Sequence, residues 1–258
     1  MKRMGCARRG AGVLAAAVLV ALVGALSACT GLGGSYALGS SGRVAARADD
    51  AGHAVVDLAT CSVVAARYDA QDVEVAYSED RDSNTVTARL YRSGTNDLLE
   101  TYSETPEVPL GDVGKALERD AGEQTFTTTL SQSVTVGAVG DQRFDTLVSA
   151  KVDIAVDGSS AQVTKIYSVD QRPLDAVHVT LDMPTTHDLT NGMPAQTIKW
   201  QVSGTLVVTS SADPAVERKA LEDAGFACST AYDGSWTAQR DYDVTTYMEV
   251  AARGSTAV

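Results

Sequence analysis

Three histidines and the acids near them are the first residues to weigh for chemistry. His178 and Asp182 fall on the polar side of a period-two stretch, and His187-Asp188 follow in a loop. Imidazole nitrogen and carboxylate oxygen are the donors that hold zinc and related divalent cations. His178, Asp182 and His187 are therefore the candidates for a nitrogen–oxygen metal site. A solvated strand face with a polar turn explains the same residues, and the expectation is no metal and no cofactor. Glu79-Asp80-Arg81-Asp82-Ser83-Asn84 alternates acids as calcium loops do. It lacks the bend glycine and the distal bidentate glutamate, so a hairpin turn is expected there. Tyr232 and Trp236 flank a short turn and could offer rings to a sugar. Trp236, however, heads an inward strand face, and the core is the expected place for both. No G-x-S-x-G, S-x-x-K, H-E-x-x-H or P-loop pattern occurs, so no catalytic residue is expected.

The thiols carry more information. Met1 to Arg9 is basic, and Ala11 to Leu26 is an apolar run too short for the ~20 residues of a spanning helix. Leu26-Ser27-Ala28-Cys29 follows, with small residues ahead of the cysteine. Basic region, apolar region and Leu-Ser-Ala-Cys box, in that order, resemble a bacterial lipoprotein signal peptide. The resemblance implies cleavage after Ala28, a thioether-linked diacylglycerol on Cys29, and acylation of the new amino terminus. It places the mature chain on the extracytoplasmic face of the cell membrane, held by acyl chains such as palmitate. Two or three chains, at ~0.8 kcal/mol per buried CH₂, make a stable anchor where one is marginal. On this reading Cys6 leaves with residues 1–28 and Cys29 takes lipid. Cys61 and Cys228 remain, and an oxidising address permits a disulfide between them. Such a bridge would be worth about 5 kcal/mol at most and would tie the start of the domain to its end. Two separate buried thiols are the alternative.

Charge sharpens the address. The segment before Cys29 holds four basic residues and no acid. The remainder carries 17 basic against 33 acidic residues, a formal charge of −16. A chain so acidic repels nucleic acid and anionic headgroups. No nucleic-acid role is expected, and membrane attachment falls to the lipid.

Positioning these residues requires a fold, and the hydrophobic pattern predicts one. Residues 29–52 are rich in Gly, Ala and Ser and read as a lipidated flexible tether spanning roughly 25 Å. Residues 53–258 form the expected β-rich domain. His53 to Ala70 fits a short helix or a buried strand. Val73 to Leu90 reads as a hairpin turning at Glu79–Asn84. Leu110, Val113 and Leu117 make a helical stripe, with Asp112 as cap and Gly122 as stop. Strands are expected at Thr125–Val136, Leu147–Val156, Ala161–Val169, through Val177, Val179, Leu181 and Met183, and from Ile198. A second helix runs from Asp213 as N-cap, with Pro214 at N1, to Gly225 at C′. The last strand puts Trp236, Ala238, Tyr242, Val244, Met248 and Val250 on one face, interrupted by Arg240 and Thr246. The sum is an α+β protein, mainly antiparallel sheet with two short helices, expected as a single closed domain. Lys115-Ala116-Leu117-Glu118 and Lys219-Ala220-Leu221-Glu222 share wording, which raises an internal duplication of residues 53–138 in 139–258.

The functional expectation is a lipid-anchored protein with a non-catalytic binding or envelope-assembly role, its partner an envelope protein or polymer. A carrier of lipid or another apolar ligand is the first alternative. An envelope enzyme built on His178, Asp182 and His187 is the second.

Overall fold

The strands sort into two seven-stranded antiparallel sheets. The structure, a computed structural model, describes residues 42–118, 122–140, 142–174, 179–210 and 214–254. The first short strands are β1 (Val44–Ala45) and β2 (Arg47–Ala48). They are followed by β3 (His53–Asp57) and β4 (Cys61–Asp69). A hairpin-rich run comes next: β5 (Val73–Asp80), β6 (Thr85–Arg92) and β7 (Leu98–Pro106). Helix α1 (Leu110–Leu117) leads into the long β8 (Gln124–Val139), β9 (Gln142–Val156) and β10 (Ala161–Pro173). The chain ends with β11 (Val179–Asp188), β12 (Thr197–Ser210), α2 (Pro214–Asp223), β13 (Ala227–Thr230) and β14 (Trp236–Ala252). The first sheet has the order β1-β5-β6-β7-β8-β9-β10. The second has the order β11-β12-β14-β4-β3-β2, with β13 beside β14.

The mainly antiparallel sheet with two helices is as the sequence pattern predicts. Closure is not. Neither sheet closes on itself. The chain switches sheets at Ala46, between β1 on β5 and β2 on β3. At the opposite side β10 and β11 meet through side chains. Gln171 donates to the Thr185 and Ser203 carbonyls at 3.1 and 2.9 Å, and Thr186 donates to the Val169 carbonyl at 2.7 Å.

Two apolar clusters result. Inward residues of both sheets fill the space between them, with Leu58, Leu90, Leu130, Ile154, Ile198 and Trp200 fully buried. The four long strands then run on to a second cluster, where Phe144, Leu206 and Trp236 meet Leu221 and Phe226 under α2. The β14 face alternates as predicted, because one side of a half-buried antiparallel strand must be apolar.

Several local expectations are corrected. His53 to Ala70 is two strands, with a tight turn closed by Leu58 N–H on the Cys61 carbonyl. Asp112 lies inside the first turn of α1 and does not cap it. The cap comes from the β5–β6 turn: Asn84, in the left-handed region, accepts from Leu110 N–H at 2.9 Å. Its amide donates to the Pro106 and Val108 carbonyls. The inward alternation of β11 fails at Met183, which is 73% exposed. Pro184 follows and has no N–H for the ladder, so the register slips between Asp182 and Thr185. Asp213 and Val177 lie outside the described residues. The C-terminal end of α2 is as expected. Gly225 N–H reaches the Glu222 carbonyl and Phe226 N–H the Leu221 carbonyl, the pairing that a left-handed C′ glycine permits.

Candidate functional site

The residues first weighed for chemistry do not converge. Cys29 and His178 lie outside the described residues. Asp182 stands opposite Thr205 and His187 opposite Gln201, on either side of the β11 slip. Among the described residues no group of three or more His, Cys, Asp or Glu is placed to hold a metal ion. In the Glu79–Asn84 turn the Asp80 carboxylate accepts from Asp82 and Ser83 N–H, so its own backbone occupies it. The Ser83 side chain, with the Ser83 and Asp82 N–H groups, holds Asp80 below its ordinary range. Trp236 is buried as expected, whereas Tyr232 is fully exposed at the turn rather than packed beside it.

The expected Cys61–Cys228 disulfide does not form; both thiols are free. Strand register is the reason. Cys61 pairs with Ala252 and Cys228 with Ala238, fourteen residues apart on the same β14. At ~3.3 Å per residue that is about 45 Å of strand, and a disulfide needs Cα atoms within about 7 Å. The domain's ends are joined by the β4–β14 ladder instead. Burial, with the Glu104 carboxyl nearby, pushes the Cys61 thiol well up, and burial raises Cys228 as well. Neither is an activated thiolate.

The strongest concentration of buried chemistry lies on β7. Its period-two alternation turns Glu100, Tyr102 and Glu104 inward together, with Glu100 at 3% exposure and Glu104 at 0%. Glu104 reaches across to the β3–β4 turn, where Thr60 N–H donates to Oε2 at 2.9 Å and the Thr60 hydroxyl donates to Oε1. Glu100 accepts from the Tyr102 hydroxyl at 2.8 Å and from the Gln132 amide at 2.6 Å. Longer contacts carry the chain outward: Thr246 Oγ1 to Gln132 Oε1 and Arg67 Nη2 to Thr246 Oγ1, each 3.4 Å. Among the described residues neither glutamate forms an ion pair.

This network sits where both sheets split. The β7–β8 ladder ends at Tyr102–Gln132 and the β4–β14 ladder at Val64–Glu249. Past those pairs β7 stays with β6 and β4 with β3, while the long β8, β9, β12 and β14 run on to the α2 cluster. Burial raises both carboxyls above the ordinary range. The Gln132 and Tyr102 bonds oppose that shift at Glu100, and the Thr60 bonds oppose it at Glu104. Burial beside Glu100 likewise drives the Tyr102 hydroxyl well up. Burial without an ion-pair partner favours the neutral form of each carboxyl, because desolvating its charge is costly.

The signal for this network was present in the sequence. Glu100-Thr101-Tyr102-Ser103-Glu104 alternates with period two, and both acids are in phase with an aromatic residue. Acids are so seldom fully buried that polarity alone assigns them outward. The phase of Tyr102 and of Pro106 was the available clue.

A surface cleft of about 220 Å³ lies at the other end of β9 and β10, lined by Glu123, Ala155, Asp157, Ser160, Gln162, Thr164 and Pro194. It is smaller than the ~300–1,000 Å³ usual for ligand pockets. Asp157 belongs to the hairpin turn, where Ser160 and Ser159 N–H hold its carboxylate low.

Neither a family model nor a curated protein nor a solved structure matches this chain.

Proposed function

We propose that the chain is a lipid-anchored extracytoplasmic protein whose two-sheet domain binds an envelope component, protein or polymer, without catalysing a reaction. The observation that carries this reading is the ordered sequence of basic region, short apolar region and Leu26-Ser27-Ala28-Cys29. Among the described residues no helix is long and apolar enough to cross a membrane; on this reading the lipid on Cys29 provides the attachment. The domain's chemistry supports a binding role. Its best titratable pair, Glu100 and Glu104, is sealed between the sheets and cannot touch a substrate. A lipid carrier needs a hollow. Buried side chains such as Trp200, Leu58 and Leu130 occupy the space between these sheets.

Replacing Cys29 with Ala tests the anchor. The intact chain is expected in the membrane fraction, released by detergent but not by high salt. Cys29→Ala is expected to keep its uncleaved apolar segment and to lose incorporation of labelled fatty acid. Equal labelling of the two chains would overturn the reading. Crosslinking on intact cells, followed by recovery through the domain, tests the binding role. A specific adduct is expected, and only uncrosslinked protein would count against it.

A further inference from the structure

We propose that Glu100 and Glu104 are a protonation-controlled clasp between the two sheets. With both carboxyls neutral the seam of β4 against β14 is held shut. As they ionise the seam loosens. The inference concerns the domain alone and does not depend on the lipid anchor.

The geometry places the pair where such control is effective. Glu104 is the contact from the first sheet to the turn that starts β4. Glu100, through Gln132 and Thr246, is the contact from β7 to β14. Between these two contacts the second sheet has its shortest central ladder. Only Cys61–Val64 pairs with Glu249–Ala252, and β4 then diverges from β14. Little backbone pairing competes with the two side chains at that seam.

The groups facing each carboxyl decide its response. Around Glu104 stand Thr60 and the Ala59 N–H from the β3–β4 turn, Thr128 from β8 and Cys61 from β4, and Cys61 in turn feels Asp57 and Arg253. Arg253 directs its guanidinium to the Ala59 carbonyl, 3.1 Å away. Around Glu100 stand Tyr102, Gln132 from β8, Thr246 from β14, Arg67 and Tyr68 from β4, and Arg143 and Asp145 from β9. Arg143 spends its guanidinium on the Leu98 and Leu99 carbonyls, Thr135 and Asp145. Arg67 and Arg143 favour the charged form of Glu100 through space and partly offset its burial, but neither forms an ion pair with it.

The sign follows from burial. A carboxyl whose affinity for protons rises on folding stabilises the fold fully below the ordinary glutamate range. That stabilisation is lost as pH climbs through the raised value. The clasp therefore tightens toward mild acid and slackens toward mild base. Depressed acids such as Asp153 and Asp157 act only below the ordinary range and in the opposite direction.

Thermal unfolding and amide hydrogen exchange of the mature chain, between about pH 5 and about pH 8, read the clasp, since that window lies above the ordinary glutamate value. The midpoint of the native protein is expected to fall by several degrees across the window. Exchange at 61–66 and 249–252, corrected for intrinsic rates, is expected to rise at least ~10-fold relative to β12. The doubly substituted E100Q/E104Q chain, whose amides copy the neutral acids, is expected to show neither change. Every ionisable group other than the two glutamates is common to both chains and drops out of the comparison. A native midpoint that is flat or rises with pH overturns the proposal, as does an equal fall in the two chains. If the double variant fails to fold, the native protein decides alone. Loosening confined to the seam supports the clasp, and uniform exchange overturns it.

Discussion

The two apolar clusters are built on the same long strands and held by different means. Between the sheets, apolar side chains from β3, β4, β5, β6, β8, β9, β12 and β14 face one another, and residues as large as Trp200 have no exposed surface. At the α2 end, β8, β9, β11, β12 and β14 supply the walls, and one amphipathic helix and the Phe226 that follows it provide the cover. The inter-sheet cluster is closed by backbone ladders on every strand. The α2 cluster depends on a seam of side-chain bonds at Gln171 and on the packing of Leu221 and Phe226. The ladder-closed cluster is thus the more rigid half and the α2 cluster the more loosely covered one, with the polar network at Glu100 at the border between them.

Substitutions break or sharpen this contrast, and the largest effect belongs in the rigid half. Trp200→Ala empties the centre of the inter-sheet cluster and is expected to cost ~3–5 kcal/mol, read as a drop in the urea midpoint of the whole domain. Leu221→Ala removes a buried contact of the α2 cover. It is expected to cost about 2 kcal/mol, because the helix can settle, with faster amide exchange limited to the α2 end. A global transition shifted as far as in Trp200→Ala would erase the distinction. Gly204→Ala tests the seam from β12. An added Cβ would lie 3.1 Å from the Asp182 carbonyl oxygen and 3.2 Å from Pro184 Cα, both backbone atoms that cannot swing aside. A loss of ~1–3 kcal/mol is expected from this overpacking, measured by thermal melting. Gln171→Ala removes the donor to Thr185 and Ser203 and the acceptor of the Tyr242 hydroxyl at 3.2 Å. A loss of about 1–2 kcal/mol is expected, with earlier exchange at β11. The smallest effect belongs to Lys219→Ala, which deletes an exposed helical pair with Asp223 at 3.1 Å. A midpoint change equivalent to less than ~0.5 kcal/mol is expected.

Local pattern predicted what local physics controls. The strands of β8 to β10, the inward face of β14 and the glycine stop of α2 follow from period, burial and backbone freedom, which neighbouring residues determine. What depends on distant partners was hidden. The cap of α1 comes from Asn84, twenty-six residues upstream, and so Asp112 was the wrong choice. The cysteine pairing failed because strand register, set by the whole of β14, holds Cys61 and Cys228 apart. Pairing by elimination carries no distance. Glu100 and Glu104 were passed over because acids are usually solvated, and only three-dimensional closure by both sheets makes an exception of them. Met183 and Pro184 sat in plain view as a strand interruption, yet the apolar run through Val179 and Leu181 outweighed the proline.

The central claim is that this domain works at a membrane through a lipid on Cys29. Intact mass and amino-terminal sequencing of the protein extracted from its native membrane test it most directly. The account predicts a chain beginning at Cys29 and heavier than its residues by two or three acyl chains and a glyceryl group. A chain that retains residues 1–28, or that begins elsewhere with an unmodified terminus, would contradict it.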